Sequence, residues 1–354
     1  NDDTTVSNWV EKIKQQVSQF VDFDQSANSA EVVNNLDWTK DLDVLTFLRD
    51  VGKHFSINQM IAKESVKQRI DREGEGISFT EFTYMILQSY DFQQLNKDHG
   101  CTLQIGGSDQ WGNITGGTEL TRRMNGNKAF GLTLPLITKS DGTKFGKTES
   151  GTIWLSANKT SPYAFYQFWI NSADADVYNF LRYFTFLSIE EIDAIEEADK
   201  NSEGRPQAQG ILAKEVTRLV HGETGLEAAE RITHALFSGD FDDLGEAEFE
   251  QLAQDGLPSA SLSAKYSEMG DVESMLSKIE TLPLTSVLVE LEVGLTSGKQ
   301  IKDALSRNAL MVNGVSYGME HNMKASEVFS TANATFSSYF LVKIGKKKSC
   351  ILSL

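Results

Sequence analysis

Three short sets of side chains have the types and the spacing to do chemistry. The first is Tyr84, Gln88 and Asp91, separated by four and then three residues. That spacing stacks a phenol, an amide and a carboxylate on one flank of a helix. Such a flank either faces water or lies along a small polar ligand, since burying these groups unpaired costs about 1–3 kcal/mol each. The second set is Gln104-Ile-Gly-Gly-Ser-Asp-Gln110. Gly106 and Gly107 lack a Cβ, which suits either a tight turn or the close approach of a ligand to the backbone. Ser108 is placed to cap the helix that follows. Asp109, at a helix start, is suited to accept from the two hydroxyls of a ribose. The third set is Lys144-Phe-Gly-Lys147-Thr148. Two ammonium groups and a hydroxyl around one flexible glycine, Gly146, fit either an exposed turn or a loop that neutralises charge in phosphoryl transfer. It is not a P-loop, because the GxxxxGK[ST] spacing is absent.

No nucleophilic triad or metal-ligand cluster stands out. His54, His99, His221, His234 and His321 are scattered, and none pairs locally with a cysteine or with two carboxylates. That pattern fits chemistry that needs no protein base. An amino-acid carboxylate is already ionised at neutral pH. Its attack on an α-phosphate asks for alignment, and for charge stabilisation from lysine and Mg2+.

The elements that must position these groups alternate between α and β over residues 1–160. The pattern predicts a strand at Glu31–Asn35 and a helix at Asp43–Phe55, with Val44, Phe47, Leu48 and Val51 on one face. Further helices are predicted at Ser56–Ile70 and Thr80–Leu95. Leu103–Ile105 reads as a buried strand, and Leu132–Ile137 as a strand placed by Pro135 at an edge or bulge. Residues 161–250 read as helices. Pro162 suits a first helical position, Ser188 to Glu191 matches a capping box, and Gln207–His221 is strongly periodic. Gly256, Pro258, Gly270 and several serines mark 251–282 as a linker. Residues 283–354 read as a small α+β unit, with helices at Thr285–Val293 and Gly298–Arg307 and strands near Leu310–Asn313 and Tyr339–Ile344.

The 354 residues leave room for two or three domains, and a hydrophobic content of 40% supports ordinary cores. No run of 18 apolar residues suggests a membrane span, and the opening residues do not resemble a signal peptide. Two cysteines make neither a disulfide framework nor a metal site, so a reducing cytoplasm is expected. A net charge of −17 argues against diffuse attraction to nucleic acid, but not against local basic patches.

Longer strings give a more specific reading. Phe47-Leu-Arg-Asp-Val-Gly-Lys-His-Phe55, Ile77–Phe82, Leu103–Thr115, Thr143–Gly151 and Thr160–Asn171 resemble the bacterial tyrosyl-tRNA synthetases, which are class I aminoacyl-tRNA synthetases. The resemblance runs over nearly the whole chain. It implies an α/β Rossmann-like catalytic domain over residues 1–160, a helical tRNA-binding domain over 161–250, and a small α+β RNA-binding module over 283–354. The implied reaction is tyrosine plus ATP to tyrosyl-adenylate, then transfer to tRNA(Tyr), with Mg2+ accompanying ATP and no tightly bound cofactor. By motif, Tyr84 and Gln88 would hold the tyrosine α-amino group, Asp91 would accept from the phenol, and Gln110 would help place the substrate. Asp109 and Gly107 would contact the ribose, and the Leu136-Ile137 backbone would lie near adenine. Lys144, Lys147 and Thr148 match the family's mobile signature loop. Arg122 and Arg123 would meet the tRNA acceptor end. Lys299, Lys302 and Arg307, with Lys346, Lys347 and Lys348, would contact RNA, although the family has a denser arginine pattern there. Residues 41–62 resemble the family's dimer-forming insertion, implying a homodimer.

The chain departs from the pattern in one respect. It contains no His-x-Gly-His, the family's signature for ATP phosphates, and no counterpart of the tyrosine that makes a second phenol contact. The expectation is a chain without the family's first β–α unit, inactive alone in amino-acid activation. Two other readings stay open: a related class I ligase for tryptophan, and a non-catalytic RNA-binding paralogue.

Overall fold

Serine caps set the register of the helices that carry the sequence motifs. Ser78 accepts from the backbone of Glu81 and starts a helix over Phe79–His99, which Gly100 ends in the left-handed region at φ 67°. Ser161 accepts from Ala164 and precedes Pro162 at the first turn of the Pro162–Ile170 helix. Ser188 and Glu191 close the expected capping box on Ile189–Asn201. Each cap satisfies a backbone amide that has no partner within its helix.

A computed structural model of the protein describes residues 2–23, 27–70, 76–143, 145–148, 151–294, 297–345 and 348–354. The chain divides into two units, Asn1–Phe145 and Gly146–Leu354.

In the first unit a parallel pair of strands, Leu103–Gly107 and Phe130–Leu134, packs on a helix over Trp111–Asn125, which in turn packs on Phe79–His99. The strands alternate, but in the opposite sense to a buried pair. Gln104, Gly106, Gly131 and Thr133 face inward, while Leu103, Ile105, Phe130, Leu132 and Leu134 are exposed. Ile105 is 68% exposed and Leu132 52%. The buried-strand expectation for Leu103–Ile105 is therefore corrected. Glycine faces the helix because there is no room for more: a Cβ on Gly131 would stand 2.4 Å from Ile114.

Other expectations in this unit also change. Residues 31–35 form no strand, because Glu31–Asn35 pairs with no neighbouring backbone ladder among the described residues. Asp43–Phe55 is a composite run: an α-turn at Val44–Thr46, a π-turn at Phe47–Val51 and a 3-10 turn at Gly52–His54. Its registers differ, so the four apolar residues do not share one buried face. Val51 is buried beside Phe47, whereas Val44 is 71% exposed and Leu48 is exposed. The Ser56–Ile70 helix is two, Ile57–Ile61 and Glu64–Ile70.

The second unit holds the helices Pro162–Ile170, Val177–Phe184, Ile189–Asn201 and Ala208–Ser238. The last bends at Gly222, whose φ of 70° and ψ of −179° are not helical. A five-stranded sheet follows, in the order Ser259–Ser261, Lys348–Ser353, Tyr339–Ile344, Leu310–Val312 and Val315–Tyr317. Residues 251–282 are not a linker. They contain a π-turn, an edge strand and the helices Leu262–Tyr266 and Val272–Ile279, and they bury Leu262, Met275 and Ile279 in the module's core. The glycine, proline and serine signals there mark turns between short elements.

Candidate active site

Gly107 ends a strand and starts a 3-10 turn, Ser108–Gln110, that feeds the Trp111–Asn125 helix. A Cβ on Gly107 would lie 2.5 Å from Asp109 Oδ1 and 3.0 Å from a methyl of Leu136. Neither Gly106 nor Gly107 has a positive φ, so glycine is needed here for space rather than for backbone freedom. Ser108 does not cap the helix as expected. The 3-10 turn intervenes, and the helix begins at Gln110 without a side-chain cap.

A chain of side-chain contacts joins two of the predicted sets. Gln88 Nε2 reaches Gln110 Oε1 at 3.5 Å, Asn113 Nδ2 donates to Gln88 Oε1 at 3.1 Å and to Gln110 Oε1 at 3.2 Å, and Gln110 Nε2 donates to Asp109 Oδ2 at 3.1 Å. Gln88 of the helix flank and the glycine turn are thus joined by side-chain hydrogen bonds. Amides suit this place because each offers a donor and an acceptor and can exchange one partner for a ligand. Asp109 is exposed. Ile137 is half-buried and Leu136 exposed beside the turn.

Asp91 and Tyr84 stand apart from this chain of amides. Asp91 accepts from the Trp38 indole at 2.8 Å and from Asn35 at 3.1 Å. A carboxylate holds about four acceptor positions, so these bonds orient it without filling it. Tyr84 is 59% exposed on the outer part of the same flank.

A model for tRNA synthetases class I (W and Y) matches residues 1–238. The chain belongs to that family. It is 62% identical over 347 residues to a tyrosine–tRNA ligase of Aliivibrio fischeri, covering 98% of this chain and 76% of the relative. It is 55% identical over 352 residues to the tyrosine–tRNA ligase of Pectobacterium atrosepticum, covering 99% of this chain and 78% of the relative. Among solved structures, a C-terminally truncated mitochondrial tyrosyl-tRNA synthetase of Aspergillus nidulans matches with a TM-score of 0.53 at 32% identity. That match covers 64% of this chain and 66% of the other. The tyrosine–tRNA ligase reading of the motifs is thus the one its relatives carry.

The segment 144–148, expected to be the family's signature loop, contains the division of the chain after Phe145. Lys144 lies outside the described residues. Lys147 and Thr148 form a two-residue strand paired with Gly151–Thr152, and Gly146 before them has a φ of 79°. Arg122 and Arg123 both pair with Glu119, at 2.7 and 2.6 Å, and hold its carboxyl down at about 2. Arg123 also donates to the His54 carbonyl. In the small module Lys299 and Lys302 are exposed on the Gly298–Ser306 helix, and Lys348 donates to Gln300 on that helix at 3.1 Å. Arg307 lies one residue past the helix, paired with Asp303. Lys346 and Lys347 lie outside the described residues.

Four polar residues of the site region carried no sequence signal. Trp38 and Asn35 lie more than 50 positions from Asp91. Asn113 was read only as part of a string. Lys63, half-buried with its pKa lowered by burial, donates to the Gly112 carbonyl beside a cavity of roughly 190 Å3 lined also by Phe55, Met60 and Leu120. No described helix is long and apolar enough to cross a membrane.

Proposed function

We propose that this chain belongs to an enzyme that activates tyrosine with ATP and passes the tyrosyl group to tRNA(Tyr). The supporting observation is the run Gln88–Gln110–Asp109, which places an amino-acid flank beside a ribose acceptor. The substrate carboxylate attacks the α-phosphate and pyrophosphate leaves. No residue need take a proton, because the nucleophile is already an anion. Gln88 and Gln110 fix the amino acid, Asp109 fixes the ribose, and the lysines of the 144–148 loop offset charge on the leaving pyrophosphate. Such positioning converts binding energy into rate. Mg2+ would arrive with the nucleotide phosphates. The described residues hold no group of three His, Cys, Asp or Glu side chains that could bind it.

Asp91 favours tyrosine over tryptophan, since an indole brings no hydroxyl to the carboxylate. The Lys299, Lys302 and Lys348 face of the small module supports RNA binding through phosphates, with strong salt dependence. Exposed Val44, Leu45 and Leu48, within the 41–62 segment, support a homodimer through that segment. A Leu45→Asp variant should elute from gel filtration as a monomer where the parent elutes as a dimer.

The absence of His-x-Gly-His from the sequence bears on ATP. Without that element, ATP-dependent pyrophosphate exchange by the 354-residue chain should be at or near background. Exchange at a rate normal for a synthetase would contradict this reading. With exchange at background, binding of tRNA(Tyr) without adenylate is the property that remains.

A further inference from the structure

The small module does not hang from a flexible tether. It shares a core with the helical region of the same unit, where Leu341 and Ile351 pack among Ile232, Phe241, Leu244 and Leu252. That seam is incompletely filled. A cleft of roughly 640 Å3 remains between the end of the Ala208–Ser238 helix and the strands of the module. Lys343, on the Tyr339–Ile344 strand, donates its ammonium to the carbonyl of Gly239, the residue that ends the long helix at φ 80°. The same ammonium stands 4.3 Å from the centre of the Phe241 ring. On the other side Phe336 meets the Phe249 ring edge-on at 5.5 Å, from a backbone φ of 52°. A non-glycine residue in that region is strained, and it persists only where surrounding contacts hold it.

We propose that Lys343 is a positioning residue, a latch that fixes the angle between the module's basic helix and the helical region, and so orders the module for tRNA. A cation at a helix C-terminus bonds carbonyls that have no partner in the helix and meets the negative end of the dipole. The adjacent aromatic face adds a cation–π contact. Burial lowers the pKa of Lys343, while Asp240 and Asp242 act to raise it. Asp240 and Asp242 thus partly offset the cost of burying this ammonium. With the latch closed, the basic helix is presented at one fixed angle and no ordering cost falls on RNA binding. With it open, the strand and the helix end loosen at the cleft beside the shared core, and part of that cost returns.

The inference rests on the reading of the module as an RNA-binding surface, and the two are separable by experiment. Lys343→Met keeps the aliphatic stem and removes the charge. Lys343→Arg keeps the charge. Two readouts are taken on the full chain: amide hydrogen exchange across residues 239–244 and 335–341, and the dissociation constant for tRNA(Tyr) at fixed salt. The expected result is faster exchange in both segments and a dissociation constant raised about fivefold or more in Lys343→Met, with Lys343→Arg restored toward the parent. Unchanged exchange in Lys343→Met overturns the latch. Faster exchange with unchanged tRNA affinity overturns its role in positioning. If the parent chain binds no tRNA, the module's RNA reading fails, while the exchange result still decides whether the latch exists.

Discussion

Gly107, Asp91 and His221 show how differently single residues constrain this molecule. At Gly107 a methyl group would push the Asp109 carboxylate and the Leu136 side chain, not backbone. Gly107→Ala should therefore fold with a melting temperature within a few degrees of the parent. It should weaken a non-hydrolysable tyrosyl-adenylate analogue by roughly tenfold, as read by calorimetry; equal binding would remove Asp109 from the ribose. His221 makes a different prediction. It is largely buried against Phe165, with ring centroids 4.8 Å apart, and its Nε2 finds no partner among the described residues. Burial lowers its pKa from 6.5 to about 4. The unfolded chain takes up a proton below about pH 6.5, and the folded chain resists it until about pH 4. The stability tied to neutral His221 is therefore complete above pH 6.5 and is lost as pH falls toward 4. The slope from this one group is on the order of 1 kcal/mol per pH unit. Denaturant titrations at pH 7 and pH 5 should show a smaller stability loss in His221→Gln than in the parent. Equal losses would mean the imidazole is not the responsive group. The amide and glycine positions of the site were legible in the sequence because their spacing is local. The Trp38 and Asn35 bonds to Asp91 were not, since they join segments 53 and 56 residues apart with no shared period.

Among the elements, caps were the most readable feature. Ser161 with Pro162 and Ser188 with Glu191 do in the structure what their spacing requires. Burial of the Leu103–Ile105 strand was not legible, because alternation gives the two faces of a strand but not which one is covered. In Leu103–Gly107 and Phe130–Leu134 the glycine face takes the helix and the leucine and isoleucine face is open. Parallel sheets ordinarily have both faces covered, so an open apolar face should behave as a dye-binding surface. Ile105→Thr with Leu132→Thr should lower the fluorescence of an anilinonaphthalene dye and leave the melting temperature nearly unchanged, as exposed apolar atoms contribute no burial. An unaltered dye signal would mean this face is shielded in solution. Three short strands, Ser259–Ser261, Val315–Tyr317 and Lys348–Ser353, gave no sequence signal because serine and lysine dilute their apolar pattern.

Across the whole molecule, the acidic balance and the basic face of the small module are not in conflict. The net charge of −17 is concentrated in the acidic stretches Glu190–Glu203 and Asp240–Asp255, whereas Lys299, Lys302 and Lys348 gather around one helix. The division of labour is visible in the two units. One carries Gln88, Asp91 and Gly106–Asp109, on which the proposed tyrosine and ribose contacts rest, and the other carries the Pro162–Ser238 helices and the five-stranded module. What unites the functional reading is the claim that the Phe79–His99 helix grips an aromatic amino acid through its polar flank. Calorimetric titration of the 354-residue chain with tyrosine, phenylalanine and tryptophan tests that claim most directly. The account predicts saturable heat with tyrosine, weaker binding of the other two by about 5- to 150-fold, the equivalent of one unpaired buried polar group, and loss of that preference in Asp91→Ala. Equal binding of tyrosine and phenylalanine, or a preference that survives Asp91→Ala, would contradict it.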